Sequence, residues 1–282
     1  MQYTTLSNGV KMPMLGYGVF LIGNDECEQL VLDAIATGYR HIDTAQAYWN
    51  EEGVGNAIAK CGLPREELFI TTKVWISNAG SYQQAAASIE ESLRKLQTDY
   101  VDLLLIHQPF NNYYAAYQAV VDAYKAGKAK AIGVSNFYGE RLVDLHHFAE
   151  VAPMVCQLET HVFSQRREIR PFLEKYHIQH IAWSPLAQGK NDIFHHPVLK
   201  PIAEKHGKSI SQIALRFLVQ SGITAIPKSS SKARMAENLA VFDFALSDDE
   251  MAQIQALDSD KNLIANHQDP AFIEMLFERF GL

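Results

Sequence analysis

Short apolar runs alternate with segments of helical period along almost the whole chain. The pattern opens with an Asn8-Gly9 hairpin signal between Leu6 and Val10. Strand-like runs follow at 14–18, 39–43, 68–72, 101–106, 129–134, 154–158, 180–183 and 223–226. The run at 101–106 is nearly continuous in apolar residues, as expected when both faces of a parallel strand are covered. Helical stripes stand between the runs, from Asp25 onward with Cys27, Leu30, Val31 and Ala34 on one face, then at 51–60 and 81–96. Further helices are predicted near 139–150, 165–176, 209–220 and 232–240, the third opening on a Ser209–Gln212 capping box. Strands that alternate with helices predict an α/β (β/α)₈ TIM barrel with an N-terminal β-hairpin placed to plug one end. Ser247 caps an additional helix, and a last amphipathic segment carries Phe272, Ile273, Met275, Leu276 and Phe280. No linker or low-complexity stretch interrupts residues 1–282, so a single domain is expected.

Composition narrows the function classes. The chain is 48% hydrophobic and 20% charged, an ordinary globular balance. No apolar run is long enough to span a membrane, and the first residues lack a basic and an apolar leader region. Cys27, Cys61 and Cys156 are widely spaced, which suits a reducing, cytoplasmic setting. A net charge of −7 argues against general nucleic-acid binding. The pairs His146-His147 and His195-His196 lack the carboxylate-rich spacing of a metal site, so no metal is expected.

Asp43 closes the predicted second strand, Lys73 and His107 stand just past the third and fourth, and Tyr48 lies in the loop after the second. Parallel barrel strands deliver their C-terminal ends to one rim, so these four side chains converge under this reading. Each has a bland alternative. Alone, Asp43 reads as a helix cap or turn former, Tyr48 as a wall, Lys73 as an amine that reaches solvent, and His107 as a satisfied turn residue. On adjacent strands, together, they form a proton-transfer kit.

The chain resembles an aldo-keto reductase. The resemblance rests on Gly38-Tyr39-Arg40-His41-Ile42-Asp43-Thr44-Ala45 followed by Tyr48, on Thr72-Lys73-Val74-Trp75, and on Leu105-Ile106-His107-Gln108-Pro109. It continues through Ile132 to Phe137, Trp183-Ser184-Pro185-Leu186 and Ile226-Pro227-Lys228-Ser229. These blocks cross nearly the whole chain in the family's order, and the compact length is similar to small bacterial members of the 2,5-diketogluconate reductase type. The resemblance implies reduction of an aldehyde or ketone by hydride from NADPH. Tyr48 would give the proton, Lys73 would lower its pKa, Asp43 would hold Lys73, and a neutral His107 would orient the carbonyl.

No G-x-G-x-x-G follows a strand, so a Rossmann site is not supported. The phosphate signal is the basic turn after the eighth strand, where Ser231 is a candidate N-cap and Lys228 and Arg234 add charge. Read alone, such a turn is more often a solvated basic loop, and its place at the phosphate-binding end of a barrel is what favours an anion. The resemblance implies that Lys228, Ser229, Ser230 and Arg234 bind the adenosine 2′-phosphate and that Glu237 and Asn238 meet the adenine. It further implies that Ser135, Asn136 and Gln157 hold the nicotinamide carboxamide and that Trp183 stacks on its ring. Ser184, Leu186 and Gln188 would lie along the pyrophosphate, with Ala187 where the family often has glycine. Phe20, Ala47, Trp49, Trp75, Gln108 and Phe110 are the expected pocket walls, with a core position as an even alternative for Trp49. The short tail predicts no long specificity loop, and a monomer is expected. Two rival readings remain. One is an aldolase using Lys73 as a Schiff-base nucleophile, opposed by the pKa-raising Asp43. The other is a non-enzymatic NADPH-sensing regulatory subunit.

Overall fold

In the computed structural model, which describes residues 1–282, the N-terminal signal becomes an antiparallel hairpin of Tyr3–Thr5 (β1) and Lys11–Pro13 (β2). Its turn relies on Gly9, whose φ of +90° disfavours any residue with a Cβ. Thr4 donates to Gln179 and Asn8 to the Lys130 carbonyl, both near strand starts, so the hairpin covers the N-terminal end of the sheet.

Eight parallel strands follow: Tyr17–Gly18 (β3), His41–Asp43 (β4), Phe69–Val74 (β5), Val101–Ile106 (β6), Ala129–Ser135 (β7), Val155–Glu159 (β8), Gln179–Trp183 (β9) and Thr224–Ala225 (β10). They are ordered consecutively, β3 through β10, in one sheet. The ends of that sheet meet. Gly16 N–H donates to the Ala225 carbonyl at 2.8 Å, Ala225 N–H to Met14 at 3.0 Å, and Gly18 N–H to Pro227 at 3.1 Å. The sheet is therefore a closed barrel without a free edge.

Around it run Asn24–Thr37 (α1), Glu51–Lys60 (α2), Tyr82–Leu96 (α3), Tyr113–Lys125 (α4), Gly139–Phe148 (α5), Arg170–Lys175 (α6), Leu199–His206 (α7), Ile210–Gln220 (α8) and Lys232–Leu239 (α9). Asp248–Gln255 (α10) and Pro270–Phe280 (α11) complete the chain. The Ser209 and Ser247 capping boxes both form. Gly55 lets α2 approach the end of α3, because a Cβ there would lie 2.2 Å from the Lys95 carbonyl oxygen.

The structure departs from the sequence expectation in four places. The third strand runs to Val74, so Lys73 lies inside β5 rather than beyond it. Helix α4 carries its buried face on alanines, Tyr117, Val120 and Val121 rather than on large aliphatic residues, and the periodic stripe did not reveal it. Helix α7 was likewise unmarked. The helix expected from 165 begins only at Arg170, because Arg166 takes a left-handed φ of 56° and its guanidinium donates to the Glu159 carbonyl.

Candidate active site

Asp43 is the last residue of β4, and the β4–β5 register sets it beside Thr71, two residues before Lys73. Both side chains are out of water, and Lys73 Nζ donates to Asp43 Oδ1 at 2.6 Å. A second Lys73 proton goes to the Thr44 carbonyl at 2.8 Å. Gln157, on β8, donates its amide to Asp43 Oδ2 at 2.9 Å, so both carboxylate oxygens are satisfied. An ion pair at this depth is tolerable only with such complete hydrogen bonding. Burial lowers the Lys73 pKa despite the opposing Asp43 charge.

Tyr48 ends a 3₁₀ turn, Gln46–Tyr48, directly after the β4 loop. Gln46 fixes that turn. Its amide donates to Ser88 and Ser92 of α3, while its oxygen accepts from the Trp75 N–H at 2.8 Å and Asn78 at 2.9 Å. The phenol ring lies 5.0 Å from Lys73 Nζ by its centroid. Burial, then the Asp43 carboxylate, push the Tyr48 phenol well above its ordinary value. The Lys73 ammonium beside the ring is itself paired with Asp43 at 2.6 Å. The phenol is thus held protonated, the state a proton donor must occupy.

His107 follows β6 and meets Tyr48 edge to face at 5.7 Å and Trp75 at 4.9 Å between ring centroids. Burial, then the charges of Lys73 and His267, hold its pKa well below the ordinary value, so the ring is neutral. Its Nδ1 has no protein partner, and neither has Trp75 Nε1 or Gln108 Oε1 beside it.

The remaining expected residues fall into groups. Ser135 donates to the Gln157 carbonyl at 3.0 Å. Asn136, at a left-handed φ of 64°, donates to the His107 carbonyl at 3.1 Å and accepts from Trp183 Nε1 at 2.9 Å. Trp183 is therefore pinned by its indole N–H. Ser184, Ala187 and Gln188 all have φ between 50° and 51°, forming with Leu186 an irregular segment tied by a Gln188–Ser184 hydrogen bond. Ala187 accepts the left-handed conformation that glycine would adopt without cost. Ser231 caps α9 through the Arg234 N–H. Lys228, Ser230 and Arg234 are exposed, Ser229 is buried, and neither Lys228 nor Arg234 makes an ion pair or a side-chain hydrogen bond. Free cations beside a helix N-terminus suit an anionic group. Asn238 is buried, and Glu237 accepts a hydrogen bond from Ser209.

Among the expected walls, Phe20 packs on Tyr48 at 5.0 Å, Trp75 flanks His107, Ala47 is half-buried and Gln108 is buried. Two expectations change. Trp49 is 71% exposed at a left-handed position and is no core residue; it stands at the outer rim. Phe110 is buried with Ile76 and Leu276 under α11, so it supports the tail rather than facing an open mouth. The tail reaches the rim: Phe280 meets Trp75 at 5.1 Å, and His267 meets Trp183 at 6.3 Å. His267 and Glu159, which fastens this tail, carried no recognisable signal, since no local motif surrounds either residue.

Residues 15–259 match the model of the Aldo/keto reductase family. The chain belongs to the aldo/keto reductases. It is 46% identical over 269 residues to the glyoxal reductase of Bacillus subtilis, covering 95% of this chain and 96% of that one. It is 42% identical over 261 residues to a methylglyoxal reductase of Salmonella typhimurium, covering 92% and 94%. An aldo-keto reductase of Bombyx mori solved in complex with NADP superposes with a TM-score of 0.88 at 34% identity, covering 93% and 94% of the two chains. This aldo/keto reductase is an oxidoreductase that reduces carbonyls with NADPH. When bound, NADPH supplies the hydride. The unpaired Lys228 and Arg234 at the α9 N-terminus and the flat face of the half-buried Trp183 fit the charged and the aromatic ends of such a cofactor. No helix is long and apolar enough to cross a membrane.

Proposed function

We propose that this aldo/keto reductase acts on small 2-oxoaldehydes, with Tyr48 giving the proton to the carbonyl oxygen. The observation that carries this reading is the meeting of Tyr48 with both Lys73 Nζ and His107. Neutral His107 donates a hydrogen bond to the same oxygen and aims the carbonyl. Lys73, held by Asp43, stabilises the phenolate as it develops, when the charge on Tyr48 becomes worth neutralising. The 2-oxoaldehyde class is supported by the names of the relatives, glyoxal and methylglyoxal reductase, and by the unpartnered Trp75 Nε1 beside His107, a donor for a second oxygen. Lys228, Ser229, Ser230 and Arg234 take the 2′-phosphate, and Glu237 and Asn238 the adenine. Ser135, Asn136 and Gln157 hold the carboxamide, Trp183 the ring, and Ser184, Leu186 and Gln188 the pyrophosphate. The same reading takes residues 1–282 as one unit, a cytoplasmic monomer that uses neither nucleic acid nor membrane. The aldolase reading is disfavoured because Lys73 is fully buried against Asp43 and offers no face to a substrate carbon.

The test is a comparison of kcat/KM for methylglyoxal, glyoxal, propanal and a ketose, followed as NADPH consumption. A second hydrogen bond of about 1.4 kcal/mol predicts roughly tenfold higher values for the 2-oxoaldehydes than for propanal. Equal values would remove the second-oxygen assignment.

A further inference from the structure

Glu159 closes β8 and is fully buried, two residues beyond Gln157. Its carboxylate accepts three successive backbone N–H groups of the tail: Leu263 at 2.6 Å and Ile264 at 3.1 Å on Oε1, and Ala265 at 3.1 Å on Oε2. His161 Nε2 lies 3.2 Å from Oε1 as well. Both oxygens therefore face donors, and only an acceptor on each side satisfies the arrangement. Burial pushes Glu159 upward, but the hydrogen bonds from His161, Leu263 and Ala265 outweigh it and hold the group ionised. The segment between α10 and α11 has no helix or strand of its own, so its path depends on such ties. Others include an Arg166–Asn262 hydrogen bond, Asp258 accepting from the Gln165 N–H and pairing with Arg167, Ser259 on the Phe163 carbonyl, and an exposed Lys190–Leu263 hydrogen bond at 2.5 Å.

Two residues past the clamp, His267 is buried in an aromatic box. Its ring lies 5.1 Å from Phe272, 6.3 Å from Trp183, 6.3 Å from Phe110 and 6.4 Å from Tyr138. Its Nδ1 has no partner.

We propose that Glu159 is a positioning residue for carbonyl reduction: its buried carboxylate holds residues 263–265 so that His267 forms the tail-side wall of the substrate site against Trp183. The proposal rests on the assignment of the site to Tyr48 and His107, and it adds a determinant of substrate affinity that lies outside that group. Glu159 acts through the tail, not through the reacting atoms. Loss of the clamp loosens one wall of the site and leaves the proton donor in place.

The test uses the full chain with Glu159→Gln, His267→Ala and the double variant. Glu159→Gln turns one acceptor into a donor facing backbone N–H groups. The expected result is a rise in KM for the carbonyl of about tenfold, kcat changed by less than about threefold, and NADPH affinity unchanged. Amide hydrogen exchange at 263–265 should quicken in Glu159→Gln and not in His267→Ala. The KM effects of the two single changes should not add in the double variant, since both remove the same wall. An unchanged KM in Glu159→Gln despite faster exchange overturns the proposal, as do additive KM effects or a loss of NADPH affinity matching the loss of substrate affinity. Should Glu159→Gln fail to fold, His267→Ala decides alone, and an unchanged KM there overturns the proposal. Retained turnover in Tyr48→Phe would instead overturn the underlying site assignment, while the exchange readout stands apart from it.

Discussion

Lys73 and Asp43 face one another across adjacent strands at 2.6 Å, and neither side chain is open to solvent. Asp43→Asn leaves a buried ammonium without its counter-charge. Breaking a buried pair in this way costs about 3–5 kcal/mol. The variant should therefore show a large drop in the urea midpoint together with impaired turnover. A midpoint within the error of the parent protein would show that the pair contributes nothing to the fold.

Tyr48 supplies a proton and little binding surface for the cofactor. Tyr48→Phe should lower kcat by roughly 10²–10⁴-fold, the usual worth of positioned acid–base catalysis. NADPH affinity, followed by fluorescence titration, should barely move. Parallel loss of both would assign Tyr48 to binding instead.

Lys228 and Arg234 are exposed and unpaired beside the α9 N-terminus. The double change Lys228→Ala with Arg234→Ala should raise KM for NADPH at least tenfold more than KM for NADH, because only NADPH carries the 2′-phosphate. Each charge-assisted hydrogen bond to that group is worth about 1.5–3 kcal/mol. An equal response of the two cofactors rules out the phosphate assignment.

Acid should unfold the protein early. Burial lowers the pKa of His41 to about 4, of His180 to about 3 and of His267 to about 4. In the unfolded chain a histidine titrates near 6.5. The unfolded state thus binds more protons as pH falls below that value, and stability present above it is lost on the way down to about 4. Three such groups predict a loss of about 4 kcal/mol per pH unit through most of that window. Urea midpoints measured at pH 7.5, 6 and 5 should fall in that order, and a flat series would show that these rings are not neutral and buried.

Much of the barrel was legible because its determinants are local. Helix α2 and strand β6 fall where the stripe and the apolar run put them, and the capping boxes at Ser209 and Ser247 form as written. Helix α4 was not legible, since small alanines bury against the barrel without the contrast that makes a stripe visible. The truncated α6 was not legible either, since a left-handed Arg166 is imposed by its contact with the Glu159 carbonyl.

The sequence by itself determined which groups stand at strand ends, because strand period and strand order follow from neighbouring residues. That was enough to bring Asp43, Lys73, His107 and Tyr48 to one rim. The tertiary structure alone decided the burial of the Tyr48 ring beside the Asp43 carboxylate, which pushes the phenol well above its ordinary value. It also decided where the tail lies. Glu159 reaches Leu263 across 104 residues of sequence, a distance over which no local pattern carries information and only packing chooses the partner.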